Sequence, residues 1–289
     1  MNSDSRGRSR HRSSGRAWER RLFELASHIT ERDRMICRLL SDHRVLTTSQ
    51  IADVGFDSLR KAQLRLSLLY DLHVVDRFQP RRLPGSSPFH YSLGNAGAFV
   101  IAAERGVELS DLHWRPEDHT ALSTSRHLGH LVGCNGFFTG RLPAARASSG
   151  LLLDHWWSAR RCAKAWVVVV RPDGYAVWDD HGRRVPFFLE YDNGTETLGR
   201  LEAKLPGYAK LAQAAGHPTW VLFRFPSVGR EAHARRVLSH PEVPVATAVL
   251  SAGEAANGPV WQPVGQEGPR RHLTGLGHPS EALALPPSR

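Results

Sequence analysis

A stretch rich in proline and glycine, residues 79–88, constrains the first part of this chain more than any other feature. Its three prolines and one glycine do not fit the interior of a helix or of a central strand. On either side lie short runs of β-branched and aromatic residues, at 74–78 and 89–93, which are typical of strands. The pattern predicts two strands joined as a hairpin, with residues 79–88 at its tip.

A helical stripe of apolar residues over 18–29 and three further helical segments precede the predicted hairpin. The first of these three begins at Thr30, which together with Asp33 matches the pattern of a capping box. The second is a short helix after an extended link, with Thr48 placed to cap it. The third is predicted to be capped by Asp57 and to run to Tyr70, because apolar residues recur in it at helical spacing.

Helix, short helix, helix and hairpin is the element order of a winged helix-turn-helix, which we predict for residues 18–110. In that fold the third helix enters the major groove of duplex DNA, and the hairpin tip can reach phosphates or the minor groove. The predicted DNA-binding side chains are those of the third helix and of the hairpin tip: Arg60, Lys61, Gln63, Arg65, Arg81 and Arg82. A plain helical bundle with solvated charges is the alternative, and the basic hairpin tip argues against it.

The charge of the chain favours a polyanionic partner, and we expect that partner to be double-stranded DNA. The 38 Lys and Arg residues exceed the 28 Asp and Glu residues, which gives a formal net charge of +10. Cationic side chains on a phosphate backbone release condensed counterions. Arginine supplies nearly all of the positive charge, as a coding bias would produce, but such a bias does not explain the excess of base over acid.

The ends of the chain differ in composition from its middle. Residues 1–17 are polar and Arg-rich, which predicts a disordered basic arm, and residues 251–289 are predicted to be a loose C-terminal tail. Residues 111–122 are predicted to be a linker. No apolar run approaches the roughly 20 residues of a membrane span, and three widely spaced cysteines do not suggest a disulfide framework. We therefore expect a cytoplasmic protein with no membrane partner.

Residues 123–250 are predicted to form a mixed α/β domain, since helical and extended patterns alternate there. The run of valines after Trp166 is interpreted as a buried strand. The predicted elements are a helix at 125–138, strands at 151–156, 166–171, 175–178 and 185–191, a helix at 198–215, a strand at 219–225, a helix at 230–239 and a strand at 243–249.

Three carboxylates of this domain are predicted to converge. Glu190 and Asp192 are two residues apart on a predicted strand, so their side chains point to the same face. Asp173 is assigned to the preceding strand of the same hairpin, from which it can approach Glu190. Such an oxygen-rich site suits Mg²⁺ or Mn²⁺, which polarise a phosphoryl oxygen and activate water. The alternative is a set of surface carboxylates, because Pro-Asp-Gly is also a common turn sequence.

This pattern resembles the PD-(D/E)xK nuclease superfamily, which has a restriction-endonuclease-like fold. The resemblance implies that Asp173 and Glu190 are its two acids and that Asp192 stands where the superfamily has its lysine. Some members carry that lysine on the following helix, where Lys204 is the candidate. The resemblance thus implies a catalytic set of Asp173, Glu190, Asp192 and Lys204, of which the three acids hold the metal ion.

The longer pattern is similar to the actinobacterial replication-relaxation family, over roughly residues 30–262. Its most specific part is the Glu-Tyr-Asp-Asn-Gly-Thr-Glu segment at 190–196, which Lys204 and Tyr208 follow; Gly-Pro-Val-Trp at 258–261 adds to it. The resemblance implies a relaxase or replication initiator of plasmids and other mobile elements, with other replication or conjugation proteins as partners.

Two alternatives stay open at this stage. One is a DNA-binding replication initiator or transcriptional regulator whose nuclease-like domain is degenerate and does not cleave. The other is a protein-interaction module of a replication complex. His127 and His130 could add a ligand or a base, although histidines on a helix surface usually do neither. The sequence has no Gly-x-x-x-x-Gly-Lys loop, so ATP hydrolysis is not predicted.

Overall fold

The computed structural model describes residues 28–80, 87–166, 169–238, 241–249 and 258–277. These residues form two compact units: the first contains 28–48 and 57–124, and the second contains 49–56 and the described residues from 125 onward. The predicted basic arm at 1–17, residues 18–27 of the first predicted helix, the hairpin-tip residues Arg81 and Arg82, and residues 251–257 and 278–289 of the predicted tail lie outside the described residues.

The first unit combines helices with a small antiparallel sheet. Its elements are α1 (Glu31–His43), β1 (Leu46–Thr47), α3 (Leu59–Asp71), β2 (Val75–Phe78), β3 (His90–Leu93), α4 (Asn95–Arg105), a 3₁₀ turn (Leu109–Asp111) and α5 (Asp118–Ser123), while α2 (Thr48–Gly55) follows β1 in the chain. The strand order is β1-β3-β2, and β3 pairs antiparallel with both neighbours. The predicted antiparallel pairing of the two strands around residues 79–88 is confirmed.

Two predicted helix starts have different outcomes. The capping box at the start of α1 is confirmed, because Asp33 N–H donates to Thr30 Oγ1 and Thr30 N–H donates to Asp33 Oδ2. The predicted cap of α3 is wrong by one residue: Ser58 Oγ accepts from Lys61 N–H at 3.3 Å, and Asp57 instead pairs with the Lys61 ammonium. Ser58 and Asp57 are both good capping residues, so the sequence alone did not separate them.

The helix α2 belongs to the second unit, although its neighbours in sequence belong to the first. Gln50 Nε2 donates to Val132 O at 2.7 Å, and the Arg146 guanidinium donates to the carbonyls of Asp53 and Phe56. Residues 111–122, which were predicted as a linker, include most of α5 and belong to the first unit.

The second unit is built on a six-stranded mixed sheet. Its elements, after α2, are α6 (Leu128–Thr139), α7 (Leu142–Ala147), β4 (Leu151–Ser158), α8 (Ala159–Trp166), β5 (Gly174–Asp180), β6 (Arg183–Tyr191), α9 (Leu198–Glu202), α10 (Leu205–Ala215), β7 (Trp220–Phe225), α11 (Val228–Val237), β8 (Val245–Val249), β9 (Gln262–Pro263) and a 3₁₀ turn (Leu273–Leu276). The order is β4-β5-β6-β7-β8-β9, in which β6, β7 and β8 run parallel and the other neighbours are antiparallel.

The turn between β5 and β6 sets the register on which the site depends. His181 and Gly182 both have positive φ, of 53° and 84°, as a tight two-residue hairpin loop requires. Asp179 Oδ1 accepts from Gly182 N–H at 2.8 Å and closes the turn. The register that follows places Gly174 opposite Leu189, so the start of β5 lies beside the end of β6.

Apolar side chains cover both faces of this sheet, as in an α/β structure. One core contains Trp166, Phe188, Tyr208 and Phe223. The other contains Phe138, Phe187, Leu222 and Trp261, whose side chain is 1% exposed although it lies in the predicted loose tail. The mixed α/β class predicted for this region is therefore confirmed.

Two predicted elements of this unit are wrong. Trp166 ends the helix α8 and Val169 lies in a turn that follows, where a strand over 166–171 was predicted. A short apolar run does not distinguish a buried strand from the buried end of a helix. The single helix predicted over 198–215 is two helices, because Pro206 lacks an N–H and its ring would clash with the carbonyl of Glu202 in a continuous helix.

Within the described part of the chain, no helix is both long enough and apolar enough to cross a membrane. The three cysteines, Cys37, Cys134 and Cys162, are buried and none of them forms a disulfide, which agrees with the prediction that no disulfide framework is present.

Candidate acidic site of the second unit

Asp173 is fixed at the edge of the hairpin by backbone hydrogen bonds. It immediately precedes β5, so the predicted position on a strand is wrong by one residue. Its N–H donates to Leu189 O at 3.0 Å, and its Oδ2 accepts from Tyr191 N–H at 2.9 Å. Because these two partners flank Glu190 in the chain, the Asp173 carboxylate lies beside Glu190, as was predicted.

Glu190 is a buried carboxylate that two side chains of one helix hold. Its side chain is 1% exposed; Oε2 accepts from Lys204 Nζ at 2.7 Å and Oε1 accepts from the Tyr208 hydroxyl. Lys204 caps α10 and Tyr208 lies four residues later, so one helix face delivers both donors. Burial raises the pKa of Glu190 to about 7; the charge of Asp173 adds to the effect and Lys204 opposes it.

Lys204 brings a positive charge to these carboxylates. Its Nζ lies 2.7 Å from Glu190 and 3.3 Å from Glu196. Burial by itself would lower the pKa of the Lys204 ammonium, but the charge of Glu190 and its hydrogen bond outweigh burial and raise it above the ordinary value. The lysine that the sequence placed on the following helix therefore stays charged and contacts the second acid.

Asp192 is engaged elsewhere. It is 4% exposed; its Oδ2 accepts from Arg230 Nε at 2.7 Å and its Oδ1 accepts from Gly194 N–H at 2.8 Å. Strand β6 ends at Tyr191, so the alternation of side chains that grouped Asp192 with Glu190 stops one residue too early. The structure brings together Asp173, Glu190 and Lys204, whereas Asp192 forms an ion pair with Arg230.

Helix α6 adds two side chains on the other side of Asp173. His130 Nε2 lies 3.0 Å from Asp173 Oδ1, and Cys134 is one helical turn after His130. The hydrogen bond with Asp173 raises the pKa of His130 although burial opposes it. The candidate ligand atoms of His130, Cys134 and Asp173 all lie within 4.8 Å of one another.

Sequence reasoning considered His130 but missed Cys134. The signal was the His-x-x-x-Cys spacing, which puts both side chains on one helix face. It gives no information on which other element that face meets, and the contact with Asp173 joins residues 43 positions apart in the chain. Asn135, which is buried, and His127, which lies at the start of α6, belong to the same helix.

The predicted DNA-binding side chains of the first unit have different surroundings. Arg60, Lys61 and Gln63 are exposed on the first half of α3. Arg65 is not exposed in the same way: its guanidinium forms an ion pair with the buried Asp33, with Nε 2.9 Å from Oδ1, and it also donates to His28 O. Arg65 therefore ties α3 to α1.

Asp173 and Glu190 fit a hard divalent cation, because they offer carboxylate oxygens from neighbouring strand ends. Lys204 and Tyr208 already hold the two oxygens of Glu190, so a cation at Glu190 would have to displace one of these donors. Asp192 is held in the same way by the Arg230 guanidinium and a backbone N–H, and the structure pairs it with Arg230 rather than with Asp173 or Glu190.

A comparison of the sequence with known proteins gives one match. The family model described as Replication-relaxation matches residues 37–220, which is more than half of the chain and includes Asp173, Glu190, Lys204 and Tyr208. No curated protein sequence and no solved structure matches.

Proposed function

This chain belongs to the replication-relaxation family, and from that membership we propose that it binds double-stranded DNA and nicks it at the acidic site of the second unit. The proposed setting is the replication or relaxation of a plasmid or other mobile element. In this proposal the first unit, with α2, is a winged helix-turn-helix that selects the DNA. The second unit is a restriction-endonuclease-like domain of the PD-(D/E)xK kind that requires Mg²⁺ or Mn²⁺.

The observation that carries the proposal is the contact of Lys204 with Glu190 beside Asp173. Two acids and a lysine at adjacent strand and helix ends are the groups that phosphodiester cleavage needs. A divalent cation held by Asp173 and Glu190 would supply polarisation of the phosphoryl oxygen and an activated water. Lys204 would stabilise the negative charge that develops on the phosphate.

The surrounding residues support that arrangement by position. The Tyr208 hydroxyl fixes one oxygen of Glu190, and Arg230 joins Asp192 to the carbonyl of Glu196. Because Glu196 also contacts Lys204, the pair of Asp192 with Arg230 holds the segment that follows β6 against the lysine. Asp192 is thus a positioning residue in this proposal.

Three features of the first unit and of α2 support DNA binding. Helices and strands follow the winged-helix order, the sheet has the order β1-β3-β2, and the first half of α3 exposes Arg60, Lys61 and Gln63. We propose that these three side chains face the groove. Arg81 and Arg82 remain proposed contacts to the DNA backbone.

Incubation of a supercoiled plasmid that carries the cognate origin, with Mg²⁺ or Mn²⁺, tests the proposal. We expect the native protein to produce nicked circles and Glu190→Ala to lower the rate at least about 100-fold. Glu202→Ala, which removes an exposed carboxylate of the neighbouring helix α9, is the matched control and should nick at the native rate. Absence of nicking by the native protein, or equal nicking by Glu190→Ala, would refute the proposal.

A second function is favoured by a different observation. Protein donors already occupy both oxygens of Glu190 and both oxygens of Asp192, as in a structural network. On this account the chain is a non-catalytic replication initiator or transcriptional regulator. It would bind DNA in a salt-sensitive manner that survives replacement of all three acids, and it would leave the plasmid supercoiled. If DNA is not bound at all, a protein-interaction role in a replication complex is favoured instead.

A further inference from the structure

A second group of side chains with metal-binding chemistry lies on the α6 side of Asp173. It consists of His130, Cys134 and Asp173, whose ligand atoms are within 4.8 Å of one another. Ligand atoms about 2.0–2.3 Å from a tetrahedral zinc ion lie about 3.3–3.6 Å apart, so the side chains would have to move together by up to about 1 Å to hold one ion. The group needs neither Glu190 nor Lys204.

The backbone around this group is built for close approach. A Cβ on Gly133 would lie 2.5 Å from ring atoms of Tyr191, so only glycine lets α6 pack this closely against the end of β6. That approach places His130 and Cys134, one helical turn apart, next to Asp173. With a larger residue at position 133, either the helix or the Tyr191 ring would have to move, and the ring also contacts His130.

Neighbouring groups orient two of the three candidate ligands. The Tyr191 ring meets the His130 imidazole edge to face, with centroids 5.8 Å apart. Tyr191 N–H donates to Asp173 Oδ2, which leaves Oδ1 directed at His130. Contacts of this kind fix the orientation of ligands in metal sites and contribute to affinity.

We propose that His130, Cys134 and Asp173 form a binding site for a transition-metal ion of the zinc class. An imidazole, a thiolate and a carboxylate are a donor set that Zn²⁺ and Co²⁺ take, whereas Mg²⁺ avoids sulfur. Three protein ligands leave a fourth position for water or for an oxygen of a bound molecule. On binding, the Cys134 thiol releases its proton to solvent, and the proton between His130 Nε2 and Asp173 Oδ1 is released to solvent or moves to His130 Nδ1; the ion then takes the place of that hydrogen bond.

This site shares Asp173 with the proposed magnesium site, but it does not depend on DNA cleavage. A zinc-class ion and Mg²⁺ would compete for the Asp173 carboxylate. The consequence is that low concentrations of Zn²⁺ would change the metal response of the protein, whichever reaction its second unit performs.

Titration of the metal-free, full-length protein with Co²⁺ under reducing conditions tests the site. We expect one equivalent to produce a sulfur-to-cobalt charge-transfer band together with visible bands of a four-coordinate ion. Zn²⁺ should remove these bands by displacement, and excess Mg²⁺ should not. Cys134→Ser should abolish the charge-transfer band, and His130→Ala should weaken Co²⁺ binding at least about tenfold.

Matched variants separate this site from others in the chain. Cys162→Ser removes another buried thiol, and His127→Ala removes a histidine near the start of the same helix; both should keep the band. His130 is partly exposed, so we expect His130→Ala to leave the fold intact. No band in the native protein, or a band that persists in Cys134→Ser, overturns the proposal. Glu190→Gln should keep the band and lose nicking, so the two proposals fail separately.

Discussion

At the scale of single residues, burial and contact rather than position in a motif determine what each carboxylate can do. Glu190 is fully buried, and both of its oxygens are bound to donors from one helix. Asp192, two residues later, is held by Arg230 from another helix. Two carboxylates only two residues apart therefore differ in role: Glu190 lies in the acidic site, and Asp192 forms an ion pair with Arg230.

The raised pKa of Glu190 predicts a pH dependence of stability. Its pKa is about 7 in the folded chain against an ordinary 4.5, so the folded state binds more protons between these values. The contribution of Glu190 to stability is complete below about pH 4.5 and is lost as the pH rises through 7. The free energy of unfolding of the native protein should fall on the order of 2 kcal/mol between pH 5 and pH 8 because Glu190 loses its proton. Glu190→Gln should not show this fall.

Urea denaturation of the native protein and of Glu190→Gln at these two pH values measures the effect. If the two proteins lose the same free energy of unfolding between pH 5 and pH 8, Glu190 does not titrate in that range, which would contradict its raised pKa. Glu202→Gln, which changes an exposed carboxylate, controls for the charge.

At the scale of elements, the position of helix α6 depends on which glycines line it. Gly133→Ala would place a Cβ 2.5 Å from the Tyr191 ring, whereas a Cβ on Gly129 meets no atom within 4 Å. We expect Gly133→Ala to destabilise the chain by about 1–3 kcal/mol. Gly129→Ala should stabilise it by up to about 1 kcal/mol, because alanine favours the helix. Thermal unfolding of the two variants would contradict this account if they changed stability equally.

Helix α3 carries arginines of two kinds, and they should respond differently to replacement. Arg65→Ala leaves the buried Asp33 without its ion-pair partner and should cost about 3 kcal/mol of stability. Arg60→Ala removes an exposed charge and should leave stability within about 0.5 kcal/mol of native. DNA affinity, measured by fluorescence anisotropy, should fall for Arg60→Ala. The roles proposed for these residues are wrong if Arg60→Ala unfolds the unit or leaves affinity unchanged.

Much of this element pattern could be predicted from sequence, because turn residues and side-chain periodicity are local signals. The capping box at Thr30 and the hairpin turn before β6 are of that kind. The two wrong elements are also explained locally. The valine run after Trp166 has no period, so it does not distinguish a strand from a helix end. The helical spacing over 198–215 continues past Pro206, although the proline ends one helix and begins another. Sequence could suggest that Lys204 meets Glu190, which are 14 residues apart, but gave no signal that Arg230, 38 residues from Asp192, would take that acid.

At the scale of the whole molecule, the excess of positive charge bears on how the proposed DNA binding gains its affinity. The net charge of +10 favours a polyanionic partner, for which we propose duplex DNA, and the proposed groove contacts occupy only part of one helix. Most of the affinity should therefore come from phosphate contacts, which carry no sequence information.

The salt dependence of binding measures that contribution. The logarithm of the association constant should fall linearly with the logarithm of salt concentration. If Arg60 and Lys61 neutralise phosphates, replacing both with Ala should reduce the slope by about 2. An unchanged slope would show that neither side chain contacts a phosphate.

The central claim is that Lys204 serves the acidic site catalytically as well as structurally. Lys204 caps α10 and Lys210 lies within it. Lys204 contacts Glu190, whereas Lys210 is exposed. The most direct test is the nicking rate of a supercoiled plasmid with its cognate origin, in Mg²⁺, for Lys204→Met and Lys210→Met. We predict a loss of about 100- to 1,000-fold for Lys204→Met and a native rate for Lys210→Met. Equal rates for the two variants, both folded, would contradict the claim.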